Sequence, residues 1–249
     1  MESSAKDING AMGVVTVIDA LLAECERTKS DYRKSALEAL DATLIAVSTI
    51  DGVDDHAIVP KIISCVEAVL SAKAPNVDDI DSGVGVAGSA ERIEAAKFEV
   101  ESRVKATGAS AVAAMTVLAT CMNRVKNIDV LRAHAKFCAE LCVSSLDPEL
   151  NRERRRQALK ACVGLMRTVS SECAATFDVQ AVMSVVIPAS EDAQSSALRL
   201  DAVDAIRAIA NDPNFKSASE TKLREMINDK SPEVMRAALR ALDGPSPMA

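Results

Sequence analysis

Three side chains with metal-ligand chemistry fall on one stripe. His134, Cys138 and Cys142 are spaced four apart, so a helix stacks them on one face. One imidazole and two thiolates are three of the four ligands a tetrahedral zinc site needs. The same face carries Leu131, Leu141 and Leu146, and no second ligand cluster supports a closed site. Thiols in such company pack as small hydrophobes, so core packing is the expected role. A cysteine nucleophile needs a base held by a third group. Only His56 and His134 could serve, and neither lies in a recognisable motif. Neither an enzyme nor a bound cofactor is expected.

Gly83-Val84-Gly85-Val86-Ala87-Gly88 has the GxGxxG spacing of a dinucleotide turn and precedes a helical pattern. That chemistry needs a buried strand ahead of the glycines, and Asp78-Asp79-Ile80-Asp81-Ser82 is not one. Calcium-loop chemistry fails as well, because the acids lack EF-hand spacing and no glutamate closes the loop. The segment reads as a long acidic connection, with Asp78, Asp79 and Asp81 as candidate contacts to a partner.

Arg152, Arg154, Arg155 and Arg156 form the strongest charge feature, which Lys160 and Arg167 extend by helical turns. Positive charge near a helix start opposes the helix dipole, and Asp147, Glu149 and Glu153 only partly offset it. The bland reading is a solvated face linked to neighbouring acids. The sharper one is a docking patch for an acidic protein, since guanidinium forks match carboxylates. A nuclear-import signal is a third. Arg152, Arg154, Arg155, Arg156 and Lys160 are the candidate partner-binding residues.

These groups need elements to hold them, and the composition points to packed helices. Aromatics make up 2% of the 249 residues, with no Trp, which argues against a β-sandwich, a sugar cleft or a base-stacking surface. A net charge of −7 disfavours broad nucleic-acid binding. Seven cysteines among apolar neighbours fit a reducing compartment, and cytoplasm or nucleus is expected. The start, Met1-Glu2-Ser3-Ser4-Ala5-Lys6-Asp7, lacks the basic and apolar regions of a signal peptide. The uncharged run from Ala106 to Asn123 is rich in Ala, Ser, Thr and Gly. Its hydrophobicity is expected to be too low for a membrane span, and a helix buried on most sides is expected instead.

Helical periodicity runs along nearly the whole chain. The expected helices are Gly10 to Arg27, Ser30 to Thr49, and one capped by Asp54 and Asp55 that carries Pro60 in its first turns. A helix through Ile93, Phe98 and Val104 should end at Gly108, followed by Ala109 to Val125 and Ile128 to Leu146. Asp147-Pro148-Glu149 is expected to cap the next helix, as Ser231-Pro232-Glu233 caps the last. Segments Phe177 to Ile187, Glu191 to Ala210, Ser219 to Asn228 and Pro232 to Leu242 complete the set, about eleven helices or about five hairpins. The expected organisation is N-terminal repeats over 1–72, a Gly-rich acidic loop over 73–90, C-terminal repeats over 91–243 and a tail at 244–249.

Related blocks recur. Arg33-Lys34-Ser35-Ala36-Leu37, Arg156-Gln157-Ala158-Leu159, Arg199-Leu200-Asp201-Ala202-Val203 and Arg236-Ala237-Ala238-Leu239 each set a basic residue ahead of an Ala-aliphatic pair. With the proline turn at Ser231-Pro232-Glu233-Val234, they resemble HEAT repeats, and their irregular spacing fits HEAT better than ankyrin or tetratricopeptide arrays. The order of the Leu131–Leu146 helix, the Leu200–Ile206 block and the terminal Ser231–Leu242 helix is similar to the C-terminal part of the large HEAT-repeat adaptor and scaffold proteins of the 26S proteasome. The resemblance implies an all-α, armadillo-like solenoid of about five hairpins, acting as a non-catalytic scaffold for protein partners. Proteasome subunits, and further HEAT repeats outside this chain, would be such partners, without nucleic acid or membrane insertion. An adaptor of another assembly, such as a transport receptor or regulatory subunit, is the alternative; an enzyme or small-ligand protein is the third class.

Overall fold

The computed structural model describes residues 2–26, 30–47, 55–72, 90–169 and 175–243. Among the described residues there are ten α-helices and no strand. They are α1 (Glu2–Glu26), α2 (Ser30–Val47), α3 (Asp55–Ser71), α4 (Ala90–Arg124), α5 (Ile128–Ser145), α6 (Arg152–Met166), α7 (Val179–Ser190), α8 (Ser196–Ile209), α9 (Lys216–Met226) and α10 (Pro232–Asp243). The chain is all-α. Asp78, Asp79, Asp81, the GxGxxG segment and the 244–249 tail lie outside the described residues.

Polar side chains set the helix starts by accepting backbone N–H groups that the first turn leaves unpaired. Asn127 accepts from Asp129 and Val130, Asn151 from Glu153, Asp178 from Ala181, and Ser195 from Leu198. The cap expected at Asp147 is displaced. Asp147 accepts from Glu149 N at 2.9 Å, and its carbonyl accepts from Leu150 N at 3.0 Å, so it closes a turn one step before the helix. Asn151 then caps α6. Pro232 does open α10, where no N–H is required, and the Ser231 carbonyl accepts from Met235 N at 3.0 Å.

Gly108 does not end a helix. It lies inside the 35 residues of α4, so two expected helices are one. A glycine terminates a helix when the chain turns into the left-handed region; at Gly108 the helical backbone simply continues.

The helices contact one another in two series. α1 packs on α3, α3 on α5 and α5 on α7, while α2 packs on α4, α4 on α6, α6 on α8 and α8 on α10. Consecutive helices α1/α2, α3/α4, α5/α6, α7/α8 and α9/α10 also pack together. One apolar core runs from Ile18 to Ala238. Its wholly buried members include Met115, Leu118 and Met122 of α4 and Leu159, Leu165 and Met166 of α6. Val104–Arg124 is, contrary to expectation, long and apolar enough by length and composition to cross a membrane, and half of it is buried inside this protein.

α6 lies very close to α4. A methyl group built on Gly164 would stand 2.6 Å from the Met122 main-chain carbon, so only hydrogen fits there. At the same end, Arg167 donates to Met122 O at 3.0 Å and Val125 O at 3.1 Å. Those carbonyls close α4, where positive charge is favourable.

Four apolar residues that fall at helical spacing, Val17, Phe98, Val104 and Leu239, are exposed. Phe98 is 74% accessible and Val104 41% among the described residues. Asp55 at the start of α3 accepts from Asn127 N just beyond the end of α4. The 17 residues of α3 therefore run back along only the last ~17 residues of α4 at equal rise. Leu239 is exposed because the inner face of α10 is centred on Val234, Ala237 and Ala238, and Leu239 lies about 100° further round.

The two glycines should respond oppositely to alanine. Gly164→Ala should destabilise the protein by about 1–3 kcal/mol through overpacking. Gly108→Ala, in a helix interior with open space around it, should stabilise by about 0.5–1 kcal/mol. Urea unfolding of both variants measures this.

Candidate functional site

The arginine cluster opens α6, and most of its hydrogen-bonding groups turn toward neighbouring segments. Arg155 NH1 donates to Asp192 Oδ2, in the α7–α8 connection, at 3.1 Å, with both side chains buried or nearly so. Arg156 donates through Nε to Asp201 Oδ2 on α8 at 2.7 Å and through NH1 to Glu153 Oε2 at 3.0 Å. Arg154 reaches Ser145 Oγ of α5 at 3.2 Å, and Arg152 donates to Gln194 Oε1. Lys160 offers its carbonyl to Asn123 Nδ2 at 2.9 Å. Of the five basic residues read as one patch, Arg155 is buried, Arg154, Arg156 and Lys160 are half-buried, and Arg152 is exposed.

The Arg155 contact belongs to a longer thread. Arg199 forms a fork with Asp229, Nε to Oδ2 at 2.7 Å and NH2 to Oδ1 at 2.9 Å, and its NH1 donates to Asp192 O at 2.8 Å. The resulting chain Arg155–Asp192–Arg199–Asp229 runs from α6 through α8 to the start of α10. The two arginines hold equivalent places. Arg155 N donates to the cap carbonyl of Asn151, and Arg199 N to that of Ser195. Their acids are also alike, each lying just before a helix and accepting backbone N–H groups there. Asp192 accepts from Gln194 and Ser195, and Asp229 from Ser231.

Electrostatics support the pairing. Burial pushes the Asp192 carboxyl up, but the N–H groups of Gln194 and Ser195 and the Arg155 guanidinium outweigh it and hold the group below the ordinary range. The fork from Arg199 holds Asp229 below that range too, against the effect of burial. Sequence reasoning missed Arg199, Asp192 and Asp229 as a set. The signal was present: Arg155-x-x-Ala158-Leu159 and Arg199-x-x-Ala202-Val203 repeat, and an aspartate stands two or three residues before the next cap.

The cysteine and histidine candidates occupy other surroundings. Cys138 and Cys142 are wholly buried, whereas His134 is half-buried. Burial pushes the Cys138 thiol up to about 12. Cys142 is raised by a hydrogen bond with Cys162 and by burial. Among the described residues no three His, Cys, Asp or Glu side chains come together as a metal-binding group. His56 Nε2 lies 3.2 Å from Asn127 Nδ2 at the start of α5.

A cleft of about 310 Å3 opens where the thread ends, lined by Glu191, Asp192, Arg199, Lys222, Asp229 and Lys230 among others. Its charges satisfy one another. Lys222 bridges Glu191 and Glu225, which hold its ammonium above the ordinary value although burial alone would lower it. Lys230 Nζ donates to Ala193 O at 2.7 Å. The cleft is a seam between adjoining helix pairs, with neither cysteine nor histidine on its walls.

Removing one member of a buried ion pair leaves the other uncompensated, so Arg199→Met should cost about 3–5 kcal/mol. The double variant Arg199→Met/Asp229→Leu should recover most of that loss in urea titrations. Acid should act in the same direction. Both carboxyls lie below their ordinary value of 3.8 in the folded chain. Their contribution is complete at neutral pH, starts to fall as the pH drops through that value, and is lost once it passes the depressed native values.

Searches for relatives leave the site to be read from its own geometry: no family model matches this sequence, and no curated protein shows significant similarity to it.

Proposed function

We propose that this chain is a non-catalytic scaffold of the HEAT type, a solenoid of five helical hairpins whose partners are proteins. The observation that carries this reading is the repetition of one connection. Helices contact their second neighbours along the chain, and an arginine at the same place in α6 and α8 bonds an aspartate ahead of a later helix. Side-by-side stacking of similar units uses such contacts and produces an extended surface rather than a single deep pocket. The cleft lined by mutually neutralised charges agrees with a structural role.

The proposed partner is the 26S proteasome, in the cytoplasm or nucleus, with the chain helping to hold its particles together or to tether them. Docking is assigned to the part of the basic cluster least committed to internal pairing. Arg152 is exposed, and Arg154 and Lys160 are half-buried, whereas Arg155 and Arg156 serve the fold. Asp78, Asp79 and Asp81 are proposed as a second contact region.

Purified chain should co-sediment with purified 26S proteasome at low salt and less so at moderate salt, since charged contacts are screened. The variant Arg152→Glu/Lys160→Glu should weaken binding about tenfold, the effect of ~1.4 kcal/mol, with an unchanged circular dichroism spectrum. A folded chain that stays in the supernatant at low salt would refute the proteasome assignment. Recovery of a different assembly from cell extract would redirect it.

A further inference from the structure

The series α1, α3, α5 and α7 is packed step by step, but α9 does not extend it. α9 packs on α8 and α10, and α10 packs on α8. The cleft of about 310 Å3 lies where α9 would otherwise meet α7. One wall is Ser190, the last residue of α7, with Glu191 and Ala193 of the α7–α8 connection; the other carries Lys222, Met226 and Lys230.

Two lysines cross this gap. Lys222 Nζ donates to Glu191 Oε1, and Lys230 Nζ to Ala193 O at 2.7 Å. The Glu191 side chain is 61% exposed, so water and salt reach the pair. The attachment to α8 is of another kind. Arg199 of α8 forks onto Asp229, between α9 and α10, with both side chains buried or nearly so. The entry to α9 is held less firmly than those of α5, α6, α7 and α8, because Phe215 makes no side-chain cap bond.

We propose that α9 and α10 form a flap that swings as one body on α8, with Arg199–Asp229 as its pivot and Lys222–Glu191 as its latch. Packing between α9 and α10 keeps the pair together, and the connection over 210–215 absorbs the rotation. Opening parts the two lysines from Glu191 and Ala193 and widens the cleft. It also bares Met226, which is 5% accessible in the closed form. A latch whose acid faces solvent is weak and screened, so ionic strength, or a partner's cation that competes for Glu191, sets the open fraction. The flap is a property of this seam and holds whichever partner the scaffold has.

The test is brief hydrogen peroxide treatment of the folded full chain, with sulfoxide formation at Met226 followed by mass spectrometry and wholly buried Met166 as reference. Glu191→Gln removes the tie across the gap. It should speed Met226 oxidation about fivefold relative to Met166, the upper end for an ion pair with an exposed acid. Glu225→Gln cuts only the contact of Lys222 within α9 and should leave the rate near that of the wild type. Sodium chloride at 1 M should speed Met226 oxidation more in the wild type than in Glu191→Gln. Amide hydrogen exchange over 216–226 should stay unchanged throughout, because a rigid swing keeps the helix hydrogen bonds. An unaltered Met226 rate in Glu191→Gln would overturn the proposal. So would faster amide exchange in step with faster oxidation, which would mean that α9 unfolds locally instead of swinging.

Discussion

The contact between Gly164 and Met122 is the constraint on which the rest of the molecule depends. α4 packs on α2 and α3 to one side and α6 to the other, so it joins the first helices to the last. A side chain at Gly164 would hold α6 away from α4. It would also pull Arg167 from the α4 carbonyls that it closes and loosen the seat of Met122, which is wholly buried. Close packing transmits such a displacement rather than absorbing it. A single hydrogen in place of a methyl therefore sets the spacing of two long helices and the continuity of the core.

The polar thread acts on register rather than on adhesion. A buried ion pair gains little net stability over a well-packed apolar pair, because removing two charges from water offsets their attraction. What Arg155–Asp192 and Arg199–Asp229 provide is directional. Each guanidinium bonds a specific aspartate, and each aspartate also binds the backbone at the start of the following helix. Sliding one helix by a turn would leave charges buried without partners. Apolar faces rich in Ala, Leu and Val tolerate several registers, so the polar contacts select one. The thread buries Arg155, and separate pairs with Asp201 and Glu153 tie down Arg156, limiting what the basic cluster can offer a partner.

Much of the helical content was legible along the chain, since apolar residues at helical spacing depend only on local geometry. The misreadings share a cause. Gly108 was expected to end a helix because glycine commonly does, yet whether a chain turns there depends on what its flanks pack against. Asp147 was expected to cap α6 because Asp-Pro-Glu resembles Ser-Pro-Glu. Asn151 took the role once the intervening residues closed a turn of their own. Phe98 and Leu239 fit apolar stripes on paper, but each stripe counts only where a neighbouring helix covers it. The cleft and the Arg155–Asp192–Arg199–Asp229 thread join residues far apart in sequence, and periodicity carries no information about such distances.

By itself, then, the sequence determined that the chain is helical, that its cysteines stand among apolar residues, and that arginine and Ala-aliphatic blocks recur. Composition and short-range spacing suffice for those properties because hydrogen bonding within a helix and the sidedness of its surface are local. Only the tertiary structure decided which cysteines touch, which arginines are buried, and where a glycine admits another helix. Those outcomes depend on which faces meet and at what register, and that choice is made by packing and charge pairing between segments that lie dozens of residues apart.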